Sequence, residues 1–310
     1  MSSLSRLAPV RQGRGDDFGL RQMLADLLSA LRIGAGWSRF RLLWWVASLH
    51  LRPVRRPLCS SEALRLPVRA HGKRLRLLLR KNQSDLYVFA EVFLRELYGE
   101  ALDRLDMPVR TVVDLGANIG LVTLLLQSRF PQARVVCVEP VAESVVCLRE
   151  NMRANGLTWE VFPTAVADSP GRKDLFVSRW WSSSTTSGSV RDKRFRDLER
   201  ADARLRLPTR SVEAVSVEMI KQRCGFERID VLKVDVEGAE AELLHDEASW
   251  LLDVGAVLLE LHEKYVDPQP VLATLRRFGF HRVALSSPHV LLFQSGKPES
   301  SLPGRTAVPA

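Results

Sequence analysis

Cysteine is scarce in this chain of 310 residues, and other features that would define a class of protein are missing. Cys59, Cys137, Cys147 and Cys224 form no Cys-x-x-Cys pair, which argues against a disulfide-stapled module and against a zinc or redox motif. The most apolar early stretch, residues 42–51, is far shorter than the roughly 20 residues that cross a bilayer. We therefore expect neither a cysteine metal site nor a membrane-spanning helix.

The first residues also lack the apolar segment of a secretory signal, so we expect a cytoplasmic protein that is soluble or peripheral. Positive charge is unevenly distributed. Residues 1–81 contain 17 Lys+Arg and 4 Asp+Glu, whereas residues 82–310 contain 28 and 32. A basic region of this kind can contact a membrane or another anionic surface, or it can simply be solvated, and the sequence leaves both interpretations open.

Patterning divides the chain into three parts. A basic extension with helical segments near 20–31 and 37–51 is predicted for residues 1–65. A main domain covers 66–295, in which a hairpin around His71-Gly72 and cap helices at 83–110 precede a core at 111–295. Ser84-Asp85 is expected to cap the first of these helices. Residues 296–310, rich in Pro, Gly and Ser, are predicted to form a flexible tail.

Seven aliphatic strands alternate with helices along the core, which is the pattern of a mostly parallel α/β sheet covered on both faces. No helix separates the last two predicted strands, 281–287 and 289–295. This pair should therefore be antiparallel. The expected fold is a Rossmann-like α/β fold with a mostly parallel seven-stranded sheet, a C-terminal antiparallel hairpin and a helical N-terminal extension.

The first core strand ends in the glycine-containing motif DLGANIG, residues 114–120. Gly116 and Gly120 allow a sharp turn and a close approach of the backbone to a ligand. The motif lacks the Gly-x-Gly-x-x-Gly spacing of dinucleotide enzymes, because Asn118 stands in the middle position. Asp114 at the strand end would repel a pyrophosphate and attract an ammonium or a sulfonium. These residues therefore favour a cationic ligand such as S-adenosylmethionine.

Two later strand ends supply further candidate ligand contacts. Glu139-Pro140 ends the second strand, where a carboxylate can accept hydrogen bonds from ribose hydroxyls in methyltransferases and NAD enzymes alike. Ala165 and Asp168 end the third strand, where a small side chain leaves room for an adenine ring and a carboxylate can accept from its amine. An Asp that caps the turn at Pro170-Gly171 is equally consistent with the pattern.

Charged residues alternate in the segment LKVDVEGAE. Lys233, Asp235 and Glu237 should project to one side at the carboxyl end of the fourth strand, since three charges cannot all be buried among apolar groups. His262 ends the fifth strand in LELH and can serve as a general base. An internal Lys–carboxylate pair and a structural histidine are the alternative interpretations.

Taken together, DLGANIG, VEP, LKVDVEGAE and LELH resemble the FkbM family of S-adenosylmethionine-dependent methyltransferases over about residues 83–263. Ser84-Asp85 is similar to the family's segment ahead of the first strand. The resemblance implies S-adenosylmethionine as cofactor and O-methylation of a sugar, glycan or natural product. The cofactor-binding residues it implies are Ser84, Asp85, Asp114, Gly116, Asn118, Gly120, Glu139, Pro140, Ala165 and Asp168. The loop WWSSSTTSGS (180–189) and Val217-Glu218 depart from the family pattern, and the loop leaves the acceptor open.

The resulting hypothesis is that Asp235, Glu237 or His262 orients and deprotonates the acceptor hydroxyl, while Lys233 offsets negative charge. We expect no metal, although such a carboxylate cluster can bind Mg²⁺. The expected partner is a small-molecule or glycan acceptor and not a nucleic acid. An RNA methyltransferase that uses the basic region, and an NAD-dependent oxidoreductase, are the alternatives. Oligomeric state is left open by the sequence.

Overall fold

The computed structural model describes residues 16–34, 38–51, 63–80, 83–177, 184–188, 190, 192 and 209–296. Residues 1–15 of the predicted extension, residues 180–183 of the polar loop and residues 297–310 of the predicted tail lie outside these ranges. Predictions made for those segments stay predictions.

Two helices begin the described chain. Helix α1 spans Asp16–Ile33 and α2 spans Ser38–Leu51, and they overlap the helical segments expected near 20–31 and 37–51. Asp26 of α1 is buried, and its Oδ2 lies 3.0 Å from Nη2 of Arg95. This ion pair ties α1 to the cap region of the main domain.

A β-hairpin follows, as predicted. Strand β1 (Ala63–Ala70) pairs antiparallel with β2 (Lys73–Arg80). His71 and Gly72 connect them with φ values of 45° and 73°. Two successive left-handed residues match the twist of a two-residue hairpin turn, which explains the glycine there. Leucine and valine side chains at alternate positions of both strands are buried in the core, and most of the residues between them are exposed or partly exposed.

The cap region contains α3 (Gln83–Phe89), a π-helical turn (Ala90–Leu94) and α4 (Gly99–Asp103). Ser84 and Asp85 lie within the first turn of α3, so the prediction that they precede the helix as its cap is wrong. Asp85 accepts hydrogen bonds from the Arg80 side chain and backbone, which connect the first turn of α3 to the end of β2.

The core strands, in chain order, are β3 (Thr111–Leu115), β4 (Arg134–Val138), β5 (Glu160–Phe162), β6 (Ala165–Val166), β7 (Gly171–Phe176), β8 (Thr209–Val215), β9 (Ile229–Val234), β10 (Val254–Leu259), β11 (Phe280–Val283) and β12 (Leu291–Ser295). Seven of them form one sheet in the order β11-β12-β10-β9-β3-β4-β5. Strands β10, β9, β3, β4 and β5 are parallel, and β12 is antiparallel to both of its neighbours. The predicted mixed seven-stranded sheet with a C-terminal antiparallel pair is confirmed.

The region predicted as a single third strand is divided in the structure. Strand β5 belongs to the large sheet, whereas β6 joins β8 and β7 in a separate three-stranded sheet. Pro163 lies between β5 and β6 and has no N–H to donate to a neighbouring strand. Ala165 therefore belongs to the small sheet, beside the carboxyl end of β5.

Helices cover both faces of the large sheet. They are α5 (Leu121–Arg129), α6 (Ala142–Ala154), α7 (Val217–Cys224), α8 (Glu240–Leu243) and α9 (Pro268–Arg277). Adjacent residues of β3 contribute to different apolar clusters, since Val112 packs with α5 and the hairpin and Val113 packs with α7 and α9. The strands are therefore buried on both sides, as the continuous aliphatic runs predicted.

The helix expected from Gly238 to about Leu252 is shorter than predicted. Only Glu240–Leu243 is α-helical, and a 3₁₀ turn at Ser249–Asp253 follows. His245 Nδ1 accepts the backbone N–H of Glu247, and this side-chain bond competes with helical hydrogen bonding. Across the described residues, no helix combines the length and apolarity needed to cross a membrane.

Candidate active site

The candidate site lies where the carboxyl ends of β3, β4, β9 and β10 meet at one edge of the sheet. In the parallel register Asp114 of β3 lies opposite Lys233 of β9 and opposite Cys137 of β4. The strand ends therefore bring together residues that are more than 100 positions apart in sequence. Open α/β sheets bind their ligands at this edge.

Gly116 makes the close approach between the β3 and β9 strand ends possible. It has a φ of 78°, and a Cβ built on it would lie 1.8 Å from the carbonyl oxygen of Asp235. Asp235 in turn donates its backbone N–H to the carbonyl of Leu115. The glycine therefore sets the position of Asp235, in agreement with the predicted need for a bare backbone at this turn.

Gly116→Ala is expected to lower the free energy of unfolding by about 2–4 kcal/mol, because it combines a backbone clash with a left-handed conformation. Urea denaturation of both proteins measures the difference. Gly171→Ala is the matched control, since Gly171 has no positive φ and a Cβ on it would meet nothing within 4 Å. Equal losses in the two variants would contradict this role for Gly116.

Asp114 and Lys233 form a buried ion pair at the centre of the site. Lys233 Nζ lies 3.1 Å from Asp114 Oδ1 and 3.3 Å from Asp235 Oδ2, and it donates to the carbonyl of Gly116 at 2.8 Å. The other Asp114 oxygen accepts from the Thr123 hydroxyl at 2.6 Å. Burial by itself would lower the pKa of Lys233. The negative charges of Asp114 and Asp235 outweigh this effect and raise the pKa above its usual range.

Asp114 was expected to face a cationic ligand, and in the structure its carboxylate is fully buried beside a cation of the protein itself. Direct contact between Asp114 and a methyl donor stays a prediction. Asp235 is a quarter exposed and is the more accessible carboxylate of the pair that flanks Lys233.

Glu139 holds the turn after β3 through its carboxylate. Its Oε2 accepts the backbone N–H of Asn118 and its Oε1 accepts that of Val141, each at 2.8 Å. Burial raises the pKa of Glu139 to about 7, although these two hydrogen bonds oppose the rise. A hydrogen bond therefore connects Glu139, which follows β4, to Asn118, which follows β3, and both were predicted to bind the cofactor.

His262 lies among three carboxylates. Its Nδ1 is 2.6 Å from Oε1 of Glu240, while its Nε2 is 3.6 Å from Glu237 and 3.9 Å from Asp235. Burial lowers the pKa of His262, but the hydrogen bond to Glu240 and the charges of Glu237 and Asp235 raise it to about 10. At neutral pH the imidazole is therefore protonated. One ligand atom each of Asp235, Glu237 and His262 lies within 4.8 Å of the others, a spacing that a metal ion can bridge.

The backbone beyond β9 turns sharply. The strand ends at Val234, and Glu237 has a left-handed φ of 53°. The predicted alternation of Lys233, Asp235 and Glu237 along one strand therefore stops after Lys233. The three side chains nevertheless converge, because the turn returns Glu237 to within 3.6 Å of His262. Left-handed backbone at a non-glycine residue is costly and is concentrated at functional sites.

Sequence reasoning left Glu260 and Tyr98 out of the site. The Tyr98 hydroxyl donates to Oε1 of Glu260, and Tyr98 is almost completely buried. Burial and the charge of Asp235 raise the pKa of Glu260 to about 8. The period-two spacing of Glu260 and His262 was the available signal for Glu260, but no local pattern connects Tyr98 to it.

Four other predicted cofactor contacts lie at the margins. Asp85 is buried in an ion pair with Arg80. The Arg80 guanidinium also lies 3.5 Å from the Ser144 hydroxyl, and this hydroxyl donates a hydrogen bond to Asn118. Ser84 is buried beside Asp85 and Ala165 is buried in β6. Asp168 is exposed and lies 2.8 Å from His245. Their contact with a cofactor stays a prediction.

A profile of the methyltransferase FkbM domain matches residues 114–282, which is more than half of the chain. The chain therefore belongs to the FkbM family of S-adenosylmethionine-dependent methyltransferases, as the motifs predicted.

Three relatives illustrate the extent of the similarity. The AMB antimetabolite synthetase AmbE of Pseudomonas aeruginosa is 32% identical over 60% of this chain, which spans only 10% of AmbE. The 2-O-methyltransferase NoeI of Sinorhizobium fredii is 27% identical over 52% of this chain and 69% of NoeI. The 31-O-demethyl-FK506 methyltransferase FkbM of Streptomyces tacrolimicus is 28% identical over 65% of this chain and 84% of that protein.

Proposed function

We propose that this protein transfers the methyl group of S-adenosylmethionine to a hydroxyl oxygen of a sugar, glycan or natural product. The observation that carries the proposal is the charge of the site. Five carboxyl groups converge there against two basic groups, Lys233 and His262; one of the five, Glu260, is mostly uncharged at neutral pH because its pKa is about 8, so four carboxylates face two cations. The carboxyl groups belong to Asp114, Asp235, Glu237, Glu240 and Glu260. An excess of carboxylates attracts a cationic sulfonium and repels a pyrophosphate.

The residues present fit the methyl donor. A glycine-rich turn leaves bare backbone at the edge of the sheet, and the Glu139 carboxylate at the end of β4 is a suitable acceptor for ribose hydroxyls. When bound, the donor supplies a methyl group on a positively charged leaving group. The protein has to align the acceptor oxygen and remove its proton.

Asp235 and Glu237 are the carboxylates we assign to the acceptor hydroxyl, because both are partly exposed at the strand ends. His262 was one of three candidate bases, but a protonated imidazole cannot accept a proton. We therefore assign it the role of a cation that holds Asp235 and Glu237 in position. Lys233 offsets the negative charge of Asp235 next to the buried Asp114.

The relatives support the choice of oxygen as the methylated atom. NoeI is named a 2-O-methyltransferase and the Streptomyces protein a 31-O-demethyl-FK506 methyltransferase. We also propose that transfer requires no metal, because a sulfonium is an activated leaving group without a Lewis acid.

Calorimetric titration with S-adenosylmethionine tests the donor assignment. The protein should bind it and should not bind NAD, and Glu139→Gln should weaken binding about 10- to 100-fold through the loss of charge-assisted hydrogen bonds. Since the pKa of Glu139 is about 7, the wild-type affinity should rise between about pH 6 and pH 8, where the carboxylate ionises. The variant should lack most of this rise.

Glu160→Gln is the matched control for that titration. Glu160 begins β5 at the opposite end of the sheet and is half exposed in an ion pair with Arg134. Its replacement should leave donor affinity unchanged.

Methyl incorporation from labelled donor into a panel of glycosides and macrolides, with and without EDTA, then tests the acceptor class. Binding of NAD in place of S-adenosylmethionine would contradict the donor assignment. Activity that EDTA abolishes and Mg²⁺ restores would contradict transfer without a metal.

A further inference from the structure

Exposed apolar side chains are concentrated in the two N-terminal helices. Among the described residues eight large apolar side chains are exposed, and five of them lie between residues 24 and 44. Leu24, Leu28 and Leu31 recur at helical spacing on α1, and Phe40 and Trp44 recur at the same spacing on α2. Each set therefore forms a stripe along its helix. Leu28 and Trp44 are the most exposed, at 67% and 70%.

The adjoining hairpin carries an exposed basic face. Its inward-facing residues are buried leucines and a valine, and the outward positions between them include four arginines, with Lys73 at the turn. The exposed basic residues are Arg65, Arg69, Lys73, Arg74 and Arg76. In the part of the chain that the structure describes, no acidic residue forms an ion pair with any of these five.

The register of the hairpin makes this face electrostatically unfavourable by itself. Arg69 lies directly opposite Arg74 across the two strands. Like charges at directly opposed positions destabilise a β-hairpin, and an anion between them removes the repulsion. The basic face is therefore suited to contact with a surface of closely spaced negative charges.

The apolar stripes and the basic face belong to neighbouring elements. Gly34, which follows α1, forms an isolated antiparallel bridge with Val68 of β1, and both helices contact β1. We call α1, α2 and the hairpin the N-terminal unit. It forms most of the part of the chain whose charge balance is +13, whereas residues 82–310 have a balance of −4.

We propose that the N-terminal unit docks this protein on an anionic lipid membrane. Exposed leucine, phenylalanine and tryptophan side chains insert at the boundary between headgroups and acyl chains, and the arginines contact lipid phosphates. A nucleic acid would use the arginines but offers no apolar layer for the leucine stripe. A second copy of this chain, docked through the same unit, would place two positively charged faces against each other. Apolar stripes with a separate cationic face therefore favour a membrane as the partner.

Vesicle co-sedimentation of the full chain tests the proposal. Phosphatidylcholine vesicles with about 30 mol% phosphatidylglycerol should bind the protein at least about 10-fold more tightly than pure phosphatidylcholine vesicles. Binding should weaken when salt is raised from about 0.1 M to about 0.5 M, because screening shortens the reach of the arginine charges. Equal binding to both vesicle types, or binding to neither, would overturn the proposal.

Two double variants separate the apolar and ionic contributions. Leu28→Ser with Trp44→Ser should weaken vesicle binding about 30-fold or more, and Arg69→Gln with Arg74→Gln about 30-fold. The matched apolar control is Val146→Ser with Leu252→Ser, two residues that are equally exposed on the main domain. The matched charge control is Arg153→Gln with Arg277→Gln, both exposed on helices α6 and α9. Neither control should change vesicle binding.

Folding and the competing partners are checked with the same proteins. None of the four variants should have a lower melting temperature than the wild type by more than a few degrees, since the replaced side chains are exposed, and Arg69→Gln with Arg74→Gln should equal or exceed it because a like-charge pair is removed. RNA binding that depends on Arg69 and Arg74, without vesicle binding, would assign the face to a nucleic acid. A dimer in analytical ultracentrifugation that Leu28→Ser with Trp44→Ser abolishes, without vesicle binding, would assign the stripes to a second copy. Either result would overturn the membrane assignment, and neither depends on the proposed methyl transfer.

Discussion

Lys233→Met is expected to lower the free energy of unfolding by about 3–5 kcal/mol, the usual effect of breaking a buried ion pair by removing one partner. Lys233 is 2% exposed and Asp114 is fully buried, so Asp114 would keep a charge with no compensating cation. An unpaired buried carboxylate takes up a proton, which reduces the cost.

A second substitution distinguishes this mechanism from a simple loss of packing. Asp114→Asn in the Lys233→Met background removes the unpaired charge and should recover most of the lost stability. Lys173→Met is the surface control. Lys173 forms an ion pair with Glu242 at 3.2 Å with both side chains partly exposed, and such pairs contribute about 1 kcal/mol or less. Urea denaturation provides all four values. A loss in Lys233→Met no larger than the control, or no recovery in the double variant, would rule out the buried pair as the cause.

Asp235→Asn is expected to reduce the rate of methyl transfer about 10²- to 10⁴-fold, the range found when a general base is removed. Asparagine has nearly the same shape, and Asp114 still pairs with Lys233, so the fold should be preserved. The turnover number should decrease much more than the donor affinity, because Asp235 is assigned to the acceptor hydroxyl. Labelled-methyl transfer and calorimetry measure these two quantities.

Asp253→Asn is the control for that experiment. Asp253 directly precedes β10, at the opposite end of the sheet, where its half-exposed side chain forms an ion pair with Lys221. Its replacement should leave the rate unchanged. If Asp235→Asn keeps more than about a third of the wild-type rate, Asp235 is not the general base for the acceptor hydroxyl, and Glu237 or Glu260 takes that role.

Several parts of the site could be predicted from local sequence. DLGANIG indicated a sharp turn at Gly116, and the structure explains the glycine by the Asp235 carbonyl only 1.8 Å from its absent Cβ. Glu139 could be located because strand ends of a parallel sheet meet at one edge. In both cases a short motif and a general rule of sheet geometry were sufficient.

The partners of the charged residues could not be predicted in the same way. Tyr98 and Glu260 are 162 positions apart, and no local pattern pairs a residue near α4 with the end of β10. The protonated state of His262 depends on Glu240, which lies one short turn beyond Glu237 and is completely buried. Such partners follow from how the turn after β9 packs against β10.

Sequence by itself therefore determined the alternation of strands and helices, the seven-stranded sheet, the family and which charged residues stand at the strand ends, because these depend on short-range periodicity and turn chemistry. Tertiary structure decided which charges neutralise each other. Strand β9 lies beside β3 in the sheet, so Lys233 lies opposite Asp114. The sequence predicted that a cationic ligand would pair with Asp114, and in the structure the Lys233 side chain is the cation beside it. Strand order depends on the packing free energy of the whole chain. That order decides which opposite charge lies next to a buried charge and compensates it.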